Sequence, residues 1–326
     1  MKKLVFLFVA AFVCVMAAFP PVALASNYPN KPVTVLQGFK AGGGSDTLAQ
    51  LTQPYLEKII GQSFVNQYIP GATGAIAWTQ LAKTAKKDGY VLSITNTPML
   101  QTNYIMNSDI TYTIADLEPI ANVITDPGII VVGKDSPYQT AEDLFKAVRD
   151  NPGKITVGNS GVGGDDFFTV LILEKTSGMK FQQIPFEGDG PSWQAAMGGK
   201  IDASFNNLGI TFPQIQAGNL RALALLAEER YVGLPNVPTV KELGYDVVSG
   251  SSRGYSAPKG IPAEAREALV SAFKIMAELP EFKKACDDRA SMIDMKLGAD
   301  YAKMLEEQEK MFKTIWSEVK DQYQGN

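Results

Sequence analysis

The 326-residue sequence contains no histidine. This excludes Ser-His and Cys-His nucleophile pairs, a histidine general base and every His-ligated metal site. Gly250-Ser251-Ser252-Arg253-Gly254 fits the G-x-S-x-G nucleophile elbow, but a hydrolase of that type needs a histidine partner. Ser177-Gly178-Met179-Lys180 fits S-x-x-K, yet no S-D-N or K-T-G triplet accompanies it. The glycine run ending at Ser45 lacks the G-K-[ST] ending of a phosphate loop, so nucleotide binding has no support. Cysteine is nearly absent, with only Cys14 and Cys286. An excess of positive charge is absent too: the formal net charge of −4 argues against a nucleic-acid partner. After the first residues, no apolar run is long enough to cross a membrane.

The start of the chain carries what the rest lacks. Lys2 and Lys3 precede an almost wholly apolar run over residues 4–18, then Pro20, Pro21 and Ala23-Leu24-Ala25. A positive segment, an apolar segment and an A-x-A site predict a secretory signal peptide over residues 1–25, cut after Ala25. Cys14 lies inside the apolar run without a small residue before it, which argues against a lipid anchor. The mature chain then holds one thiol and no internal disulfide. Its length supports two medium domains held by hydrophobic cores.

One loop pattern occurs twice. Residues 34–46 and 156–166 each begin as a short β-branched run, pass a glycine cluster and end in Ser45-Asp46 or Asp165-Asp166. An apolar helical pattern follows each. Glycine allows close backbone approach, Asp and Ser cap helices, and a free helix N-terminus favours an anion. Two such sites predict a cleft that grips a small anion from both sides. The plainer alternative is that both are ordinary strand-to-helix turns.

Strand and helix patterns alternate along the chain, which predicts an α/β fold with mostly parallel sheets. In such sheets ligands bind beyond the carboxyl ends of strands. Segments 39–46, 70–74 and 95–98 in the first half should therefore share one rim. Segments 159–166, 186–190 and 206–209 should form the facing one. Residues 119–124 and 129–132 read as two strands around an Asp126-Pro127-Gly128 turn, the crossing into a second domain. Residues 247–255 read as the return crossing, and three charged amphipathic helices after residue 263 read as packing on the first domain. The predicted lobes are residues 26–125 with 250–326, and residues 126–249; two crossover strands make a hinge. Trp78, Trp193 and Trp316 read as core residues, with Trp193 the one placed to reach the cleft mouth.

The sequence resembles the extracytoplasmic solute receptors of tripartite tricarboxylate transporters, the TctC or Bug family. The matching stretches include Tyr28-Pro29-Asn30-Lys31-Pro32-Val33, Ala41-Gly42-Gly43-Gly44-Ser45-Asp46, Pro70-Gly71-Ala72-Thr73-Gly74 and Lys87-Asp88-Gly89-Tyr90. Later come Gly161-Val162-Gly163, Gly199-Lys200-Ile201-Asp202 and Val237-Pro238-Thr239-Val240. The resemblance implies a two-lobed periplasmic binding protein of type II-like architecture, monomeric and without cofactor or metal. It would close on a di- or tricarboxylate or related organic acid and deliver it to transmembrane permease subunits. The ligand loops it implies in the first lobe are Phe39, Lys40, Gly42, Gly43, Gly44, Ser45 and Asp46, with Thr95, Asn96 and Thr97. In the second lobe they are Asn159, Ser160, Gly163, Gly164 and Asp165, with Phe186, Asp189 and Asn206, and Arg253 at the crossing.

Five positions depart from the family pattern. Lys40 stands where Pro is usual, Asp165 and Asp166 where His is frequent, Asn206 where Asp is common and Arg253 where an aromatic is usual. Loss of a charge at Asn206 and gain of charge at Lys40 and Arg253 predict a ligand with at least one carboxylate and no amino group. Arg253 also suits a hinge ion pair. Asp165 and Asp166 oppose an anion unless they turn away or cap a helix, and capping is the expected role. Two other classes remain: an exported enzyme using a pair among Asp46, Asp165, Asp166, Glu187 and Asp189, and a calcium-binding protein using Asp165, Asp166, Glu187 and Asp189. The latter lack EF-hand spacing. A receptor of this kind serves either a permease or a sensor kinase, and no docking motif separates the two.

Overall fold

A computed structural model describes residues 28–41, 44–186 and 188–323. The predicted leader, Gly42, Gly43 and Glu187 lie outside the described residues. The first half begins with three parallel strands, β1 (Val33–Gln37), β2 (Phe64–Tyr68) and β3 (Val91–Thr97), with Val33 opposite Phe64 and Thr34 opposite Val91. Helices α1 (Gly44–Ile60) and α2 (Ala75–Lys83) connect them. The apolar positions Leu48, Leu51 and Leu56 bury one side of α1 against Val33, Val35 and Leu92. Gly61 stops the helix at φ +76°, where any other residue meets strain, and its N–H closes on the Glu57 carbonyl at 2.8 Å. Helix α3 (Met99–Met106) follows β3 directly and is absent from the sequence reading.

The predicted Asp126-Pro127-Gly128 turn does not form. Residues Leu117–Gly133 make one continuous strand, β4. Its first part, from Leu117 to Pro127, pairs antiparallel with β9 (Gly250–Pro258), which returns across the same gap. Its second part, from Gly128 to Gly133, pairs with β7 (Ala203–Asn207) and β8 (Leu220–Leu226). The proline falls where the ladder changes partners, so its missing N–H interrupts neither set. Local turn chemistry gave way to partners distant in sequence.

The second half repeats the first. Strands β5 (Thr156–Asn159), β6 (Gln182–Pro185) and β7 are parallel, and β4 and β8 add antiparallel partners, so the sheet is mixed. Helix α4 (Ala141–Asp150) starts in a capping box, Thr140 Oγ1 accepting from Asp143 N while Asp143 accepts from Thr140 N. Helices α5 (Asp165–Ser177), α6 (Asp189–Met197) and α7 (Leu208–Gln216) begin at the ends of loops or strands facing the first half. Each half buries its own apolar clusters, around Val35, Leu92 and Phe273 in one and around Ile130, Val157 and Phe205 in the other.

The chain closes with α8 (Ala263–Glu278), α9 (Pro280–Asp287), an unexpected strand β10 (Ile293–Leu297) on the outer side of β4, and α10 (Ala299–Tyr323). Helix α10 does not pack on the first half alone. Tyr301 and Leu305 join the first-half cluster around Trp78, while Phe312, Ile315 and Trp316 pack on Phe167, Phe168 and Leu171 of α5. Phe168 and Phe312 have ring centroids 5.0 Å apart. The last helix therefore straps the two halves together. Trp78 and Trp316 are core residues, and Trp193 packs beside Ile129 and Leu208, away from the cleft.

Candidate ligand cleft

A cavity of about 510 Å³ lies between the halves, at the ends of β1, β3 and β7 and the loop after β5. All six segments expected at the rim contribute to it, through Phe39 and Ser45, Thr73, Asn96, Ser160, Phe186 and Asn207. The N-termini of α1 and α5 open onto it from opposite sides.

The first-half wall is built around Arg253. This residue sits on β9 beside Asn96 of β3 and Ile124 of β4, which buries it to 8% exposure. Its Nη1 lies 3.5 Å from Asp126 Oδ2, and its Nε has no hydrogen-bond partner among the described residues. Gly44, first residue of α1, lies against the guanidinium: a Cβ there would come within 2.7 Å of Nε. Next to it Ser45 Oγ donates to Asn96 Oδ1 at 2.9 Å, both side chains buried. A helix N-terminus and a guanidinium with a free donor thus share one end of the cavity, an arrangement suited to a carboxylate.

The second-half wall is acidic. Asp165 lines the cavity and accepts from Asn207 Nδ2 at 2.7 Å. Asp126 accepts from Gly209 N, in the first turn of α7, at 2.8 Å. Asp166 and Asp189 lie close enough to perturb each other, and Asp166 Oδ2 and Asp189 Oδ1 are both buried without a hydrogen-bond partner among the described residues. Burial pushes all four carboxyls up from the ordinary range, against the pull of Arg253 on Asp126, Asp165 and Asp189. Asp166 rises well above the ordinary range because Asp165 and Asp189 add to its burial, and Asp189 rises to about 6. Neither Asp165 nor Asp166 is an N-cap. Gly164 holds that position without a side-chain cap, and the two acids are the first residues of α5. Three helix N-termini of this half, those of α5, α6 and α7, thus already face the protein's own carboxylates. The anion grip is one-sided.

Ten of the predicted site residues lie on the cavity: Phe39, Gly44, Ser45, Asn96, Ser160, Gly164, Asp165, Phe186, Asp189 and Arg253. Seven others among the described residues lie off the lining. Lys40 is exposed outside the lining. Asp46 lies in the first turn of α1, not at its cap, and accepts from Tyr68 Oη at 2.6 Å and Gln50 Nε2 at 2.9 Å. Thr95 shares hydrogen bonds with Tyr301 and Ser256 in the core. Thr97 is buried off the lining. Asn159 shapes its own loop, accepting from Gly161 N at 3.0 Å. Gly163 meets the first half instead, its carbonyl accepting from Thr102 Oγ1 at 2.8 Å. Asn206 donates to the Asp189 carbonyl at 3.1 Å. Gly42 and Gly43 lie outside the described residues.

The sequence reading missed Met99, Ile210 and Ser251, and named Asn206 where its neighbour Asn207 lines the cleft. Successive strand residues face opposite ways, so an Asn-Asn pair at a strand end leaves that choice open. Of the positive charges that predicted an amine-free ligand, Arg253 lines the cavity while Lys40 is exposed outside it, and Asp165 and Asp189 line the other wall.

The family model for the tripartite tricarboxylate transporter family receptor, TctC, matches residues 48–320. The chain belongs to this family. A Cupriavidus necator protein, described as the UPF0065 protein in the gbd 5′ region, is 32% identical over 272 residues, 83% of this chain and 82% of that protein. The crystal structure of a TctC solute-binding protein from Polaromonas is 28% identical, with a TM-score of 0.76 over 89% of this chain and 99% of that one. A periplasmic transporter of known structure is 30% identical, with a TM-score of 0.78 over 89% and 97%.

TctC receptors are periplasmic solute-binding proteins, not enzymes. Among the described residues no group of three or more metal-ligating side chains is placed to hold an ion, and no helix is long and apolar enough to cross a membrane.

Proposed function

We propose that this TctC receptor works in the periplasm after loss of residues 1–25. There it captures a small organic acid in the cleft and delivers it to the permease subunits of a tripartite tricarboxylate transporter. The observation that carries the carboxylate reading is Arg253, which lines the cavity beside the N-terminus of α1 and has a buried Nε without a protein acceptor among the described residues. A carboxylate there gains charge-assisted hydrogen bonds worth roughly 1.5–3 kcal/mol each. Residues 26–125 with 250–326 form one lobe and residues 126–249 the other. β4 and β9 are the hinge, and closure shuts water out of the cavity.

The test is a thermal-shift screen of the purified, exported protein against small carboxylates, with sugars as controls. A ligand that binds only the folded state raises Tm. A rise with a carboxylate and none with sugars is expected. No rise with any carboxylate, after unfolding, dialysis and refolding to strip bound ligand, overturns the reading. Uptake of the identified acid by cells with and without the receptor then tests delivery.

A further inference from the structure

The charges in the cleft are unbalanced for a plain di- or tricarboxylate. Its ionisable lining groups are Arg253 on one side and Asp165 and Asp189 on the other, with Asp126 and Asp166 buried near them. Asp126 is answered by Arg253 and by Gly209 N. Asp165, 5% exposed and on the cavity, has the Asn207 amide but no ion pair among the described residues. Asp166 Oδ2 and Asp189 Oδ1 are buried without a hydrogen-bond partner among the described residues. An acid bringing a second carboxylate to this wall would meet like charge in a place with little water. The opposite end is the reverse: Arg253, 8% exposed, has a buried Nε without an acceptor among the described residues.

Resting on the reading of this cleft as the carboxylate site, we propose that the ligand is an amino acid or a related zwitterion. Its carboxylate lies at Arg253, Gly44 and Ser45, and its protonated amine faces Asp165 and Asp189. The amine supplies the positive charge that the acidic wall lacks. An ammonium has three donors and no acceptor, which matches a wall of carboxylate oxygens. Asp166 is off the cavity lining and adds to the field around Asp189 without touching the ligand.

Matched acids with and without an amine decide it: succinate against aspartate, glutarate against glutamate, propionate against β-alanine, butyrate against 4-aminobutyrate. Each is titrated calorimetrically into the stripped, exported protein. In at least one pair the amine-bearing acid is expected to bind at least tenfold more tightly. Asp165→Asn and Asp189→Asn should each shrink that preference at least fivefold, with melting temperatures equal to or above that of the parent. If an amine-free acid binds as tightly as its partner or better, or if neither substitution changes the preference, the zwitterion inference is overturned while the carboxylate site stands. If no acid of either kind binds, the carboxylate reading falls and this inference with it.

Discussion

Arg253 on β9 and Asp126 on β4 form a buried ion pair, Nη1 to Oδ2 3.5 Å, across the two strands that join the halves of the molecule. The guanidinium that closes one end of the cleft is thus anchored on the hinge itself. A ligand bound to Arg253 pulls on the strands about which the lobes would move. The ion-pair and ligand roles considered for this residue are compatible, because its Nε is left over after Nη1 is engaged.

Removing the arginine should separate stability from binding. Arg253→Met leaves Asp126 buried without its cation, at a cost of about 3–5 kcal/mol. The double variant Arg253→Met with Asp126→Asn should recover most of that loss in urea unfolding. Binding of the acid found by screening should stay weakened about 10- to 150-fold in both variants, the worth of one charge-assisted hydrogen bond. Recovery of binding in the double variant would show that Arg253 acts only through the ion pair.

Gly44 tests how closely α1 approaches the guanidinium. Its backbone is not in the left-handed region, so alanine is acceptable to the helix. The added Cβ would still lie 2.7 Å from Arg253 Nε. Gly44→Ala should cost about 1–3 kcal/mol or less in stability. It should weaken binding at least tenfold by displacing the group that holds the carboxylate. Calorimetric titration beside a melting curve separates the two effects.

The acidic wall sets a pH dependence. Burial and the neighbouring Asp165 raise Asp189 to about 6 in the folded protein. A raised carboxyl contributes stability while protonated, below its unfolded value near 4, and loses that contribution as pH rises through 6. Relative to the parent, Asp189→Asn should therefore gain Tm between pH 4.5 and pH 7.5, by roughly 2–5 °C, since an amide has no charge to bury. A constant difference across that range would place Asp189 in contact with water.

Thr102 of α3 reaches across the gap to the Gly163 carbonyl at 2.8 Å, a hydrogen bond between the two halves. Thr102→Val keeps the shape and removes the donor. The closed form should lose about 0.5–1.5 kcal/mol, and ligand should dissociate roughly 2- to 10-fold faster in stopped-flow measurements. An unchanged dissociation rate would mean that this contact does not limit opening.

Much of the architecture was legible in the sequence because it rests on local rules. Strand and helix periodicities marked the repeating units, and Gly61 and Thr140 marked helix ends with the residues their backbone positions require. The repeated glycine loops did land on one cleft, because strand ends in such sheets share an edge. The readings that failed all depended on distant partners. Pro127 signalled a turn, yet β9 and β7 held the chain extended on either side of it. Helix α10 carried no mark of which apolar stretch faced which half. Asp165 and Asp166 looked like caps because an acid before an apolar run usually is one; the helix instead begins at Asp165 itself, with Gly164 at the cap.

The sequence alone determined that this protein has no histidine chemistry, that one thiol follows Cys14, and that two α/β units alternate around glycine-rich loops. These follow from residue types and short-range spacing. Only the tertiary structure decided the charge of the cleft. Asp126, Asp165, Asp189 and Arg253 are far apart along the chain, and nothing local to any one of them tells which neighbours will share its burial. Burial and proximity set the electrostatics, and both are properties of the folded chain.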